Sequence, residues 1–154
     1  MNIYALSSGR GPSGIAIVRI SGKGSLQICK NLTQLKKIRA NEINFCKFYD
    51  PKTMNIIDPE ALLLWFSAPN SCTGDDLAEF QVHGSNAVIN ALLKVLSEQN
   101  DCRLAEPGEF TKVAFQNDKI DLLKAESIGD LIHSETELQR EQAVKLVQGN
   151  ASKY

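Results

Sequence analysis

Three charged side chains stand out: Arg19 and Glu79 interrupt the apolar patterns of IAIVRIS and DLAEFQVHG, and Lys119 stands in NDKID. An Arg or Glu in the middle of a strand-like core run costs several kcal/mol if it is buried without a partner, so each must be paired or face a ligand. An Arg19–Glu79 ion pair, or exposure at a sheet edge, is the structural alternative to a ligand site. Only two histidines, His83 and His133, could act as bases. His83 precedes Gly84-Ser85 at an expected strand-to-helix turn, where it either projects for function or bonds a backbone group. His133 reads as a surface residue of a helix.

The other chemistry-bearing patterns are negative. No G-x-S-x-G occurs, so there is no nucleophile elbow, and the candidate bases His83 and Asp76 have no supporting constellation. The glycine-rich loop GRGPSG is followed by no Gly-Lys-Ser/Thr and opens no helix, so it is not a P-loop. Placed between two strands, it is explained by a tight connection, with ligand contact as the alternative. Cys29, Cys46, Cys72 and Cys102 form no CxxC pair and read as free thiols, and two histidines with dispersed thiols argue against a metal site.

These residues need a scaffold, and 154 residues can supply one, since a chain of this size buries roughly 70% of its unfolded surface. The balance of 17 Lys+Arg against 18 Asp+Glu leaves no global field for a phosphate backbone, so dominant nucleic-acid binding is not expected of this piece alone. Lys30, Lys36, Lys37 and Arg39 form either a local basic patch or a solvated face. No signal-peptide pattern opens the chain and no window approaches the apolar run of a membrane span. The expectation is a soluble, reduced, cytoplasmic protein with no membrane partner.

Apolar periodicity places the elements. Residues 3–6 and 15–20 read as strands, 25–35 as a short helix, and 44–49, 61–66 and 77–82 as further strands, the last with Glu79 and Gln81 on one face. Ser85 is an expected N-cap for a helix reaching about residue 99. Another helix is expected to start near Pro107 and continue through residues 109–114. From 121 to about 148 the pattern is helical through Leu122, Ala125, Ile128, Ile132, Leu138 and Leu146. The fold class is therefore α+β, a mixed sheet with packed helices, followed by a purely helical segment.

At these segments the chain resembles the N-terminal region of the tRNA-modification GTPase family known as MnmE or TrmE. The blocks that carry the resemblance are IYALSSGRGPSGIAIVRISG, LWFSAPNSCTGDDLAEFQVHG, RLAEPGEFTKVAFQNDKIDLLKAESIGDLI and LVQGNAS. It implies a folate-binding and dimerisation domain over residues 1–118, with the fold of the glycine-cleavage aminomethyltransferases, and the first helix of a truncated helical domain over 119–154. By motif position the family's folate-binding residues fall on Arg19, Glu79 and Lys119, with no catalytic residue and no metal ligand assigned. The implied cofactor is 5-formyltetrahydrofolate or a related one-carbon tetrahydrofolate. For its pterin, a carboxylate such as Glu79 can accept a pair of N–H donors, while Arg19 and Lys119 suit a carbonyl or the anionic tail.

The resemblance further implies a homodimer, an FAD-containing partner subunit, and tRNA engaged through the full complex for modification of the wobble uridine. GTP, potassium and magnesium belong to the full-length family and are not expected to bind this chain, which has no Walker-type loop. Ser85 departs from a second glycine usual after His-Gly. Two alternatives stand beside this reading: a stand-alone folate-dependent aminomethyl or one-carbon transferase, and a dimerisation scaffold without ligand. The fragment alone is expected to bind and pair without catalytic turnover.

Overall fold

Alternation of apolar and polar residues decides which way each strand faces, and in the computed structural model the two faces come out chemically distinct. The structure describes residues 1–7, 14–119, 132, 133, 135–137 and 140. Its elements are β1 (Asn2–Leu6), β2 (Ile15–Ser21), α1 (Ser25–Thr33), β3 (Ile43–Tyr49), β4 (Ile56–Phe66), β5 (Leu77–His83), α2 (Asn86–Ser97), β6 (Cys102–Leu104) and α3 (Glu109–Gln116). The strands form one six-stranded sheet in the order β3-β4-β5-β2-β1-β6. Among the described residues β1 and β6 pair in parallel and the other neighbours antiparallel, so the sheet is mixed and the α+β expectation holds.

Cross-strand register assigns the faces. Leu63, Phe80, Val18 and Leu6 stand in one row across β4, β5, β2 and β1. They join Ile28, Cys29 and Leu32 of α1 and Ile89, Leu92, Val95 and Leu96 of α2 in the main core. Full burial of such a side chain contributes roughly 1.5–3 kcal/mol, so this layer carries most of the stability. Phe48 and Phe80 add an edge-on ring contact at 5.0 Å. The opposite face carries the row Ile43, Leu64, Glu79, Arg19 and Ala5. There a second, smaller core of Ile3, Ala5, Ala105 and Phe110 forms where α3 packs over β1.

The elements expected before residue 119 are found, with informative differences. Ser85 caps α2 as anticipated, its Oγ accepting from Val88 N–H at 3.2 Å. Strand β4 starts at Ile56 rather than at residue 61, because the β3–β4 hairpin continues through a register irregularity next to Phe48, and Pro59 sits at that break in the ladder. Strand β6 has three residues, too short to show a period. Pro107 is not in the first helical turn: α3 starts at Glu109, and Gly108, at φ +75°, is its N-cap. A Cβ on Gly108 would lie 2.5 Å from Ile132 Cγ2, so the close approach requires glycine as much as the dihedral does.

Of the expected loop over 7–14, which contains GRGPSG, residues 8–13 lie outside the described residues. The helix expected over 121–148 does so too, apart from residues 132, 133, 135–137 and 140, which are helical. Glu135 accepts a hydrogen bond from Thr111 Oγ1 at 2.6 Å, which ties that helical segment to α3.

Two local devices hold α3. At its start, Arg103 of β6 grips Glu109 with two hydrogen bonds of 2.7 and 2.6 Å, and Glu109 also accepts from Glu106 N–H at 2.8 Å. At its end, Lys119 N–H bonds the Ala114 carbonyl at 2.8 Å and Asp118 N–H bonds that of Phe115 at 3.1 Å, a Schellman closure. Asp118 occupies the left-handed position, φ 57°, where glycine is favoured.

The Arg103 guanidinium holds the Glu109 carboxyl below its ordinary value of 4.5. A depressed carboxylate stabilises the fold above its unfolded pKa, and that contribution is lost as pH falls through the folded value. Urea titrations of Glu109→Gln should therefore show a smaller loss of stability than the unmodified chain as pH falls below about 4.5. Asp118→Gly should raise stability by up to about 1 kcal/mol, the cost of a left-handed residue less the added chain entropy. A lower urea midpoint for that variant would show that Asp118 is not strained.

Candidate ligand-binding site

The row of residues across the open sheet face places a charged pair on its two central strands. Arg19 of β2 stands directly opposite Glu79 of β5, and Arg19 Nη2 donates to Glu79 Oε1 at 2.9 Å. Both side chains are largely sequestered, 28% and 19% exposed. The Arg19 guanidinium also lies 5.8 Å from the centroid of the Phe110 ring. Its Nε is buried and has no hydrogen-bond partner among the described residues. A buried donor left unmade costs about 1–3 kcal/mol, so Arg19 carries hydrogen-bonding capacity that this arrangement leaves unspent.

Beside this pair is a cavity of about 520 Å³. Arg19, Glu79 and Lys119 all line it, with Phe66 and Leu77 as apolar wall and Asn41, Asn70, Ser71 and Cys72 as polar rim. The three residues singled out in the sequence are thus brought together from β2, β5 and the turn after α3. The pairing alternative holds as well, because the ion pair is itself part of the wall. A volume in the range of small-molecule pockets, roughly 300–1,000 Å³, with an apolar wall and few charged groups suits a planar, hydrogen-bonding ligand.

Asp76 is not a free base: its Oδ1 accepts from Ala68 N–H at 2.8 Å and so closes the loop between β4 and β5. His83 lies on the same face of β5 as Glu79, four residues further on, about 13 Å along the strand. It lines a separate cavity of about 180 Å³ with Gly14, Ile15, Glu60, Leu62, Gln81 and Val82. Its ring Nδ1 lies 2.9 Å from both oxygens of Asp58, a fully buried carboxylate that also accepts from His83 N–H at 2.8 Å and Glu60 N–H at 2.9 Å. The partner is therefore a buried carboxylate rather than the backbone group envisaged. A lone aspartate before proline at a strand irregularity was the available signal for Asp58.

Among the described residues no group of three or more His, Cys, Asp or Glu side chains could hold a metal ion. Lys36, Lys37 and Arg39 are exposed on the connection between α1 and β3, where Arg39 approaches Glu42 at 3.7 Å, and Lys30 is half-buried on α1. All four cysteines are free thiols. Burial pushes the Cys46 thiol up to about 12 and that of Cys102 up to about 11, and raises Cys29 further. Cys72 is exposed at the cavity.

Residues 2–119 match the family model described as GTP-binding protein TrmE N-terminus. A tRNA modification GTPase MnmE of Pelagibacter ubique is 53% identical over 152 residues, covering 99% of this chain and 34% of that protein. The proteins of the same description from Rhodopseudomonas palustris and Zymomonas mobilis are 45% and 46% identical, each alignment covering 96% of this chain and 31% and 34% of the relative. The chain thus spans about a third of the length of these relatives.

Exposure and thiol acidity together predict selective labelling. At pH 8 a maleimide should add once, at Cys72, as located by peptide mass spectrometry, and Cys72→Ser should abolish the rapid adduct. Equal labelling of Cys46 or Cys102 in the folded chain would contradict their burial.

Proposed function

The chain belongs to the TrmE family, as the N-terminal region of a tRNA modification GTPase, and on that premise we propose that its cavity binds a one-carbon tetrahydrofolate such as 5-formyltetrahydrofolate. The observation that carries the reading is the convergence of Arg19, Glu79 and Lys119, from three separate elements, on one cavity. When bound, the reduced folate supplies a one-carbon unit. Glu79 accepts the N–H donors of the aminopyrimidinone edge; each carboxylate oxygen has two lone pairs, so Oε1 can serve Arg19 and a ligand together. Arg19 offers its unpartnered Nε to a ring carbonyl, and Lys119, at the exposed rim, faces the anionic tail. Phe66 and Leu77 provide the apolar surface for the ring.

Several finer statements belong to the same proposal. Residues 1–118 form the folate-binding and dimerisation domain, related in fold to the aminomethyltransferases, and 119–154 begin a helical domain; the end of the family match at residue 119 supports that division. Two copies pair: Ile43 and Phe45, 54% and 78% exposed on edge strand β3, are the kind of apolar surface that a second chain would cover. In the complete protein the module works with an FAD-containing subunit on the wobble uridine of tRNA, in the cytoplasm, and GTP with its potassium and magnesium belongs to the region beyond this chain. No helix among the described residues is long and apolar enough to cross a membrane. A stand-alone transferase is less well supported, because His83 lines a different cavity and the Asp76 carboxylate is spent on the loop.

Isothermal titration with 5-formyltetrahydrofolate should give saturable binding at one site per chain. Glu79→Ala should weaken it roughly 10–100-fold, the equivalent of about 1–3 kcal/mol for a lost buried partner, with circular dichroism confirming the fold. A folded chain that takes up no reduced folate, or a Glu79→Ala variant that binds as tightly as the parent, would overturn the reading. Independently, Phe45→Glu should shift the chain from dimer to monomer in sedimentation velocity; an unchanged dimer would place the contact elsewhere.

A further inference from the structure

One wall of the cavity is the loop between β4 and β5, residues 67–76, which contributes Asn70, Ser71 and Cys72. The opposite approach is made by Lys119, two residues beyond the C-cap of α3. These parts are far apart in sequence, and the side chain of Asn117 links them. Its Nδ2 donates to the Thr73 carbonyl at 2.8 Å and to Asp75 Oδ1 at 3.2 Å. Thr73 is buried, and its Oγ1 lies 2.8 Å from Ser21 Oγ on β2, so the loop is pinned to the sheet on one side and to α3 on the other.

The approach is close. Gly74, next to Thr73, has φ +85°, and a Cβ there would lie 2.6 Å from Asn117 Cβ, so the loop backbone rests against this side chain with no room for a methyl group. The Schellman closure that follows Asn117 then turns the chain so that Lys119 reaches the cavity. Only a donor serves at position 117: the two groups it meets are a carbonyl and a carboxylate, both acceptors.

We propose that Asn117 is a positioning residue of the cavity, a latch that holds the 67–76 loop and Lys119 in one arrangement. It acts through Thr73 and Asp75 and need not touch the ligand. The inference that this arrangement serves folate rests on the function proposed above; the latch itself does not.

Two measurements on the purified chain separate these claims. Amide hydrogen exchange over residues 70–75, followed by mass spectrometry without ligand, should accelerate at least tenfold in Asn117→Ala and further in Asn117→Asp, which sets a carboxylate against Asp75. Exchange in β2 and β5 should stay unchanged. Gly74→Ala, which leaves Asn117 intact but forces the two backbones apart, should accelerate the same peptide. Affinity for 5-formyltetrahydrofolate should fall roughly tenfold in Asn117→Ala. Unchanged loop exchange in all three variants overturns the latch. Faster loop exchange with affinity within twofold of the parent overturns its positioning role. If the parent chain binds no reduced folate, the function proposed above fails, and the exchange data together with the Cys72 alkylation rate, which should rise on unlatching, still decide whether Asn117 orders the wall.

Discussion

A guanidinium and a carboxylate face each other across β2 and β5, the two central strands of the sheet. Most of what is distinctive about this fold is the way the chain accommodates them. The face that carries the row Leu63, Phe80, Val18 and Leu6 is covered by α1 and α2 in one continuous core. On the other face a helix laid over the ion pair would have to strip two charges of water, at a cost that the mutual attraction of the pair repays only with excellent geometry. Helix α3 instead packs over β1, and its Phe110 ring reaches Arg19. The hollow beside the pair is the consequence.

That hollow is defined by contacts between distant parts of the chain. The Arg103–Glu109 bonds, the glycine approach at Gly108 and the Schellman turn at Asp118 together set where α3 starts, lies and stops. Phe110, in its first turn, is thereby placed against Arg19, and Lys119, just beyond its end, on the same cavity. The loop between β4 and β5 contributes through its own polar closure, with Asp76 bonding Ala68 and Thr73 bonding Ser21.

The second cavity illustrates the opposite arrangement. Beside its His83 a buried carboxylate, Asp58, gathers two backbone amides and one imidazole, linking β4 to β5 next to an irregular pairing. The paired His83 is consequently explained by structure, without a ligand, even though its position after a strand and before a helix is one where functional groups often project.

Much of this was legible in order of residues alone. Short apolar runs bounded by turn residues, with alternation over 44–49 and 77–82, marked five of the six strands, a serine before an apolar stripe marked the start of α2, and charged residues inside apolar patterns marked Arg19 and Glu79 as special, because local pattern and the cost of burying charge operate within a few neighbouring positions. What only the tertiary structure decided are the relations between positions far apart. Strand β6 exists because β1 offers it an edge; Asp58 meets His83 and Asn117 meets Thr73 because the sheet and α3 bring them within hydrogen-bonding reach. Whether Arg19 and Glu79 were paired or open to a ligand was likewise undecidable from their types. Register set them opposite one another, and the path of α3 left them a cavity, since short-range pattern carries no information about which distant groups fill the space above a sheet.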